Sequence, residues 1–192
     1  MVDVFIHYLL QRISLSEAET AWIRPLCTLK KLRKKQYLLQ EGDVWIYNAF
    51  VSKGCLRTYG VDDKGLEHVI SFAVENWWIG DRESLLSGQP SRFNIDAIED
   101  SEVVLIRKDN FDLIGQQIPA FREMVNGILQ KSFVVSQNRI HAAISYSAEE
   151  KYQNFVHQYP AFAQRVPQSM IASFLGMTPE TLSRVRSQSA KK

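Results

Sequence analysis

The chain has 192 residues, of which 45% are hydrophobic and 23% are charged, and its formal net charge is +2. These values are typical of a soluble folded protein and exclude a disordered chain. No run approaches the roughly 18 consecutive apolar residues that a membrane-spanning helix needs. The N-terminal residues also lack the basic and apolar segments of a secretory signal. We therefore expect a cytoplasmic protein that does not interact with a membrane.

The first part of the chain predicts helices followed by a β-rich region. Residues 1–24 are predicted to be helical, because Ser14 and Ser16 precede Glu17 and Glu19 in the pattern of a capped helix start. From about residue 30 to about residue 107, short β-rich runs are interrupted by Gly, Asp or Pro roughly every 8–12 residues. This spacing predicts an antiparallel sandwich or barrel.

The cysteines and histidines do not form a metal-binding pattern. The two cysteines, Cys27 and Cys55, are too few for an iron–sulfur cluster or a structural zinc site, each of which needs about four ligands. We interpret them as reduced thiols. Of the four histidines only His68 lies in the predicted sheet, which disfavours a metal-dependent enzyme on a cupin-type barrel. The sequence therefore predicts no metal site and no catalytic residue, and the enzyme is a weak alternative.

Helical periodicity returns in the second half of the chain. Asp109 is predicted to cap a short helix, and a long helix follows Pro119. Ser147 and Glu150 form a capping box that opens a further helix, which Pro160 stops. Residues at alternating steps of three and four form a seam along the long helix: Phe121, Val125, Ile128, Ser132, Val135, Arg139 and Ala142.

The seam has two interpretations. Since no partner helix lies nearby in the sequence, we predict that the long helix, residues 118–146, pairs with a second copy of itself and forms a homodimer. The alternative is that the seam packs on the β-rich domain of the same chain.

Residues 168–185 carry the strongest functional signal, because they match a helix-turn-helix. Ala172 is small where two helices cross closely, and Gly176 supplies the positive φ that ends the first helix. Thr178 and Pro179 suit the cap and the first position of the second helix. Apolar residues at the remaining spacings are expected to fill the wedge between the helices: Ile171, Leu175, Met177, Leu182 and Val185.

The polar residues of this segment predict an interface with double-stranded DNA. Arg184 is expected to bridge guanine O6 and N7, and Glu180 to accept a hydrogen bond from a cytosine amine. Residues 165–192 contain five basic residues and one acidic residue, so this end of the chain attracts phosphates. The predicted DNA-binding set is Gln168, Ser169, Thr178, Glu180, Thr181, Ser183, Arg184 and Arg186, with Gln168, Ser169 and Arg186 assigned to phosphates and Ser187 at the edge.

The order of these parts resembles the CRP/FNR family of bacterial transcription regulators over nearly the whole chain. The resemblance is carried by the segments 41–43, 53–57, 79–81, 95–103 and 178–184. It implies an α+β protein with three parts. Residues 1–117 would form a cyclic-nucleotide-binding-like antiparallel β-roll, of the double-stranded β-helix or jelly-roll type, with N-terminal helices. Residues 118–146 would form the dimerisation helix, and residues 147–192 the helix-turn-helix domain.

The resemblance also implies a small-molecule pocket in the β-roll, formed by Gly80, Asp81, Ser91 and Arg92. Relatives that bind a cyclic nucleotide have a Gly-Glu pair, and here Gly80 is followed by the shorter Asp81. The arginine that holds the cyclic phosphate is replaced by Pro90, which has neither charge nor an amide donor. We therefore favour another small effector, or none, over cyclic AMP.

Two further expectations concern DNA and partners. Only a few residues follow the predicted recognition helix, so no β-hairpin wing is expected there, and Lys191 and Lys192 would supply phosphate contacts instead. RNA polymerase is a further candidate partner of such a regulator. A ligand-binding or interaction module that no longer reads DNA is the alternative, because Pro179 stands where relatives often carry a polar residue that contacts DNA.

Overall fold

The computed structural model describes residues 2–189, with the side chain of Ser189 excluded, and divides the chain into two compact units. The first unit combines Met1–Gly60 with Ser71–Ile128, and the second combines Val61–Ile70 with Leu129–Lys192. Helices and antiparallel strands are both present, which confirms the predicted α+β class. No helix within the described part of the chain is long and apolar enough to cross a membrane.

The secondary structure follows the predicted order of helices, strands and helices. Its elements are α1 (Val2–Leu10), α2 (Glu17–Ile23), β1 (Cys27–Leu32), β2 (Tyr37–Leu39), β3 (Tyr47–Lys53), β4 (Leu56–Val61), β5 (Glu67–Ala73), β6 (Trp78–Ile79), α3 (Arg82–Ser87), β7 (Asn94–Ala97), β8 (Ser101–Arg107), α4 (Lys108–Gln117), α5 (Pro119–Ser145), α6 (Ala148–Gln158), α7 (Pro160–Arg165), α8 (Gln168–Phe174) and α9 (Pro179–Ser189).

The strands form two four-stranded sheets, as the predicted β-roll requires. One sheet has the order β1-β8-β3-β6 and the other has the order β2-β7-β4-β5. Alternate residues of a strand point to opposite faces, so β3 contributes Ala49 and Val51 to one core and Phe50 to another. The first core joins apolar residues of both sheets, with Val103 of β8 from one sheet and Leu56 and Ile95 of β4 and β7 from the other. The β-roll interior is therefore closed by side chains of its own strands.

Helices α1, α2 and α4 cover the other face of the β1-β8-β3-β6 sheet. Phe5 of α1 is fully buried and packs on Phe50, with 5.2 Å between the ring centroids. Phe111 of α4 packs on Phe121 at the start of α5, at 5.1 Å. Aromatic pairs at such separations add about 0.5–1.5 kcal/mol beyond the area that they bury. This aromatic cluster fixes the first two turns of α5 on the first unit.

The long helix α5 is covered by its own chain only in its first part. Phe121 of the predicted seam is fully buried and Val125 packs against the same cluster, whereas Val135, further along the seam, is 45% exposed. Beside the seam, a row of exposed apolar residues follows steps of seven and four. They are Phe133, Ile140 and Ile144, which are 64%, 61% and 81% exposed.

Most predicted helix starts are confirmed, and two boundaries are corrected. Ser16 and Ser147 both cap helices in complete capping boxes. Asp109 does not cap α4, because it lies inside the first turn and Arg107 occupies the cap position without a side-chain hydrogen bond. Pro160 does end the preceding helix, but it also begins α7, which the sequence analysis missed because proline is well tolerated at a first helical position.

Candidate nucleic-acid interface and effector pocket

Helices α8 and α9 form the helix-turn-helix that the sequence predicts. Gly176 has a φ of +67° directly after α8, as its predicted role in ending the helix requires. Ala172 of α8 is fully buried, and so is Leu182 of α9 at 1% exposure. Helix α9 contacts both α6 and α8. The apolar residues of the motif therefore hold α9 by its inner face and leave its outer face to solvent.

The start of α9 is fixed by Thr178. Its hydroxyl accepts a hydrogen bond from the amide of Thr181 at 3.2 Å, and its carbonyl accepts from the amide of Leu182 at 3.0 Å. Pro179 occupies the first helical position, where its missing amide proton costs nothing. Thr178 therefore acts as the N-cap of the candidate recognition helix.

The predicted base-reading residues are on the outer face of α9. Glu180, Ser183 and Arg184 are exposed, and Thr181 is half-buried. Arg186 and Ser187, one turn further along the helix, are also exposed. Within residues 2–189, no carboxylate forms an ion pair with Arg184 or Arg186. Both guanidinium groups are accessible to a ligand such as a nucleic acid.

The charge of Glu180 is stabilised by its position at the helix start. Its own backbone amide and the hydroxyl of Thr178 hold the pKa of the Glu180 carboxyl below its usual value. The carboxylate is consequently ionised at neutral pH and accepts hydrogen bonds. This is the state required for contact with a cytosine amine.

Replacing Thr178 by alanine is expected to lower the free energy of unfolding by about 1 kcal/mol, because α9 loses its cap. Part of this stabilisation depends on the ionised carboxylate of Glu180 and therefore changes with pH. The pKa of Glu180 is lower in the folded state than in the unfolded state. The contribution of Glu180 to stability is therefore present above the ordinary pKa of glutamate and is lost as pH falls through the folded-state pKa. Urea unfolding at several pH values measures both effects. Thr178→Ser retains the hydroxyl and serves as the control, and an equal loss in both variants would refute the capping role.

The residues predicted to contact phosphates lie at the two ends of the motif. Ser169 is exposed in the first turn of α8, whereas Gln168 is half-buried. The Oε1 atom of Gln168 is buried and has no hydrogen-bond partner among the described residues. Lys191 and Lys192, the other predicted phosphate contacts, lie outside the described residues.

In the β-roll, the predicted effector residues Asp81 and Ser91 bind each other. Asp81 caps α3 by accepting hydrogen bonds from the amides of Glu83 and Ser84 at 2.9 and 3.3 Å. Its second carboxylate oxygen accepts a hydrogen bond from the Ser91 hydroxyl at 2.7 Å. Both side chains are buried and serve the fold itself. The shorter acid at position 81 is thus explained by a capping role.

Gly80 and Arg92 complete the predicted effector set. Arg92 has a side chain that is 73% exposed and pairs with Glu83 at 2.9 Å, so it lies on the surface. A Cβ atom at Gly80 would come within 2.6 Å of the Trp45 indole nitrogen, which shows how closely this buried ring approaches the backbone. The structure brings Asp81 and Ser91 together and directs Arg92 away from them.

A buried ion pair in the β-roll was not predicted. Arg57 of β4 and Asp96 of β7 stand directly opposite each other and form two hydrogen bonds of 2.8 and 2.9 Å. The Arg57 guanidinium also lies 4.0 Å from the ring centroid of Tyr59. Burial raises the pKa of Tyr59, and its contact with the Tyr37 hydroxyl adds to the effect. The available signal was the single charged residue within each of two short β-rich runs.

A comparison with protein families supports this architecture. The family model of the cyclic nucleotide-binding domain matches residues 29–117. This range begins at the third residue of β1 and ends with the last residue of α4. The β-roll is therefore similar to cyclic nucleotide-binding domains.

Curated relatives and solved structures extend the similarity beyond this domain. The regulatory protein HlyX of Actinobacillus pleuropneumoniae is 25% identical over 184 residues, which cover 90% of this chain and 76% of that protein. The transcriptional activator protein Anr of Pseudomonas aeruginosa is 23% identical over 170 residues, covering 81% and 68%. The structure of FixK2 from Bradyrhizobium japonicum superposes with a TM-score of 0.74 at 20% identity, covering 84% of this chain and 83% of that one.

The fold of the described residues is that of solved structures such as FixK2. The domain match and the similar regulators support the resemblance to the CRP/FNR family of transcription regulators. The resemblance inferred from the sequence is thereby confirmed.

Proposed function

We propose that this regulator binds double-stranded DNA as a cytoplasmic homodimer and reads sequence with α9. In this proposal residues 1–117 form the sensor, residues 118–146 pair two copies, and residues 147–192 bind DNA. The sensor responds to a small effector other than cyclic AMP or to none, and RNA polymerase is a further partner. The protein has no enzymatic role in this scheme.

The outer face of α9 is the observation that carries the proposal. Arg184 and Glu180 are four residues apart, so they lie on the same side of the helix, one turn from each other. Both are exposed and charged, while Leu182 and Val185 anchor the other side. A helix that is buried on one side and presents an acceptor and a forked donor on the other suits the major groove. Two further predicted contacts, Thr181 and Ser183, lie between them in the sequence.

The exposed row on α5 supports pairing of two copies. Phe133, Ile140 and Ile144 follow the seven-residue period of a two-stranded coiled coil, with Gln137 between them. Exposed large apolar side chains at this period are typical of a helix that pairs. A twofold dimer would present two α9 helices to the half-sites of a pseudo-palindromic site, about one DNA turn apart.

Selection of bound duplexes from a random pool tests the function. We expect enrichment of a sequence with inverted half-sites, and a linear fall of log affinity with log salt concentration. Binding at low salt without any enriched sequence would mean that the protein attracts DNA electrostatically but does not read its sequence. Absence of binding at low salt would reject the proposal, because the phosphate contribution is largest there.

Introducing glutamate at both Ile140 and Ile144 is expected to weaken the dimer by at least 100-fold. The double variant would bury two carboxylates per chain without partners, and each tenfold loss corresponds to about 1.4 kcal/mol. Sedimentation velocity over a concentration series measures the monomer–dimer equilibrium. Lys131→Glu introduces the same side chain on the same helix, at an exposed position outside both the exposed row and the predicted seam, and is expected to leave the dimer intact. Equal behaviour of the two variants would place the dimer interface elsewhere.

A further inference from the structure

The second unit contains a cavity of about 390 Å³ beside the helix-turn-helix. Its walls come from the last part of α5, from α6, and from the end of α8 with the following turn. Its volume falls in the range of small-molecule sites, about 300–1,000 Å³. The turn residues Leu175 and Gly176, which lead into the candidate recognition helix, form part of the wall.

Arg139 is the central cation of this cavity. It is half-buried, its guanidinium lies 4.1 Å from the ring centroid of Phe174, and Nη1 donates a hydrogen bond to the carbonyl of Ile70. Burial lowers the pKa of Arg139 from its usual value. Within residues 2–189 no carboxylate lies within ion-pair distance of it. A half-buried guanidinium without a counterion favours an anion as its ligand.

Lys151 supplies a second cation to the same cavity. It lies on α6, and its Nζ donates a hydrogen bond to the carbonyl of Ala143 on α5 at 3.0 Å. No described carboxylate forms an ion pair with this ammonium group. The side-chain amides of Asn138 and Asn154 line the cavity as well and add uncharged donors and acceptors.

Aromatic rings form the apolar side of the cavity. Phe155 and Phe174 pack with 5.6 Å between their ring centroids, and Tyr159 packs on Phe155 at 5.9 Å. All three residues line the cavity. We propose that this cavity binds a small organic anion, in which a flat ring carries a carboxylate, sulfonate or phosphate group. The ring contacts the aromatic wall and the anionic group pairs with Arg139 and Lys151.

Such a ligand would link α5 to the helix-turn-helix. Helix α8 is already held on another side by Ser173, whose hydroxyl donates to the carbonyl of Glu67 and accepts from the amide of Val69, both at 2.9 Å. An anion bound between Arg139 of α5 and the end of α8 would strengthen the attachment of α8 to α5 as well. The ligand therefore favours one placement of α9 on α5. This site is distinct from the effector residues predicted in the β-roll, and its binding is measured without DNA.

Two fluorescent probes of similar shape test the site on the full-length protein. Anilinonaphthalene sulfonate carries a ring system and an anionic group, whereas phenylnaphthylamine has the ring system without the charge. We expect one saturable sulfonate site per chain. Arg139→Gln and Lys151→Gln each weaken sulfonate binding by about tenfold, and neither changes binding of the neutral probe by more than about twofold.

Two further variants keep the test independent of folding. Lys131→Gln removes the same charge from an exposed position on α5 outside the cavity and is expected to leave sulfonate binding unchanged. Ala142→Phe fills the cavity and is expected to abolish binding of the sulfonate, while thermal unfolding shows that the variant is folded. Equal losses in Lys131→Gln and Arg139→Gln would overturn the proposal. So would sulfonate binding that survives in folded Ala142→Phe.

Discussion

Replacing Asp96 by alanine is expected to lower the free energy of unfolding by about 3–5 kcal/mol. The substitution removes the carboxylate that forms two hydrogen bonds with Arg57, whose side chain is only 7% exposed. It removes the carboxylate that faces a buried guanidinium, and removing one partner of a buried pair costs more than the pair itself contributes. Urea unfolding followed by circular dichroism measures the loss.

An exposed ion pair provides the matched control. Lys108 and Asp112 form a pair of 3.0 Å on the surface of α4, with side chains that are 40% and 53% exposed. Asp112→Ala is expected to cost only about 0.3–0.5 kcal/mol. The double variant Arg57→Met/Asp96→Leu, which removes both charges, is expected to recover most of the stability. A small loss for Asp96→Ala, similar to that for Asp112→Ala, would show that water reaches the Arg57 guanidinium.

Replacing Arg184 by alanine is expected to weaken binding to the selected DNA sequence by roughly 1–3 kcal/mol, or about five- to 150-fold. Its exposed guanidinium can offer two donors to guanine O6 and N7. Its loss should relax the base preference at one position of each half-site. Fluorescence anisotropy with the selected duplex and its single-base variants measures the change.

The variant Arg186→Ala is the control that distinguishes base reading from general attraction to phosphates. Arg186 is also exposed on α9, but it is predicted to contact phosphate rather than a base. Arg186→Ala should therefore weaken specific and random duplexes by similar factors and reduce the salt slope by about one. If Arg184→Ala behaves in the same way as Arg186→Ala, Arg184 is a phosphate contact and the assignment of base reading to it is wrong.

Local features of the structure were predictable from the sequence. The capping boxes at Ser16 and Ser147, the positive φ at Gly176 and the cap at Thr178 each depend on residues within four positions of one another. The helix-turn-helix and the end of α6 depend on equally short patterns. Physical rules for caps and turns act at this range, so the residue types alone indicate the structure.

Features that depend on distant contacts were missed. Arg57 and Asp96 are 39 residues apart and meet only through the register of β4 and β7. Helix α5 carries apolar residues on two sides, and only the aromatic cluster around Phe121 decides which side its own chain covers. The sequence identified the helix correctly, and pairing through the predicted seam stays a prediction, because Val135 of the seam is 45% exposed.

The expected effector residues illustrate the same limit. Their spacing matched the family pattern, but the spacing did not reveal that Asp81 caps α3 and accepts a hydrogen bond from Ser91. Nor did it show that Arg92 pairs with Glu83 on the surface. Whether this region binds an effector stays a prediction.

The link between Asp81 and Ser91 limits how this scaffold can be re-engineered as a nucleotide sensor. Restoring an arginine at Pro90 alone would add a cation beside a carboxylate and a hydroxyl that already satisfy each other. A designer would also have to release Asp81 from the amides at the start of α3 and move the Trp45 indole away from Gly80. If the β-roll does not bind a cyclic phosphate, as we propose, several coordinated substitutions rather than a single one would be needed to introduce that recognition.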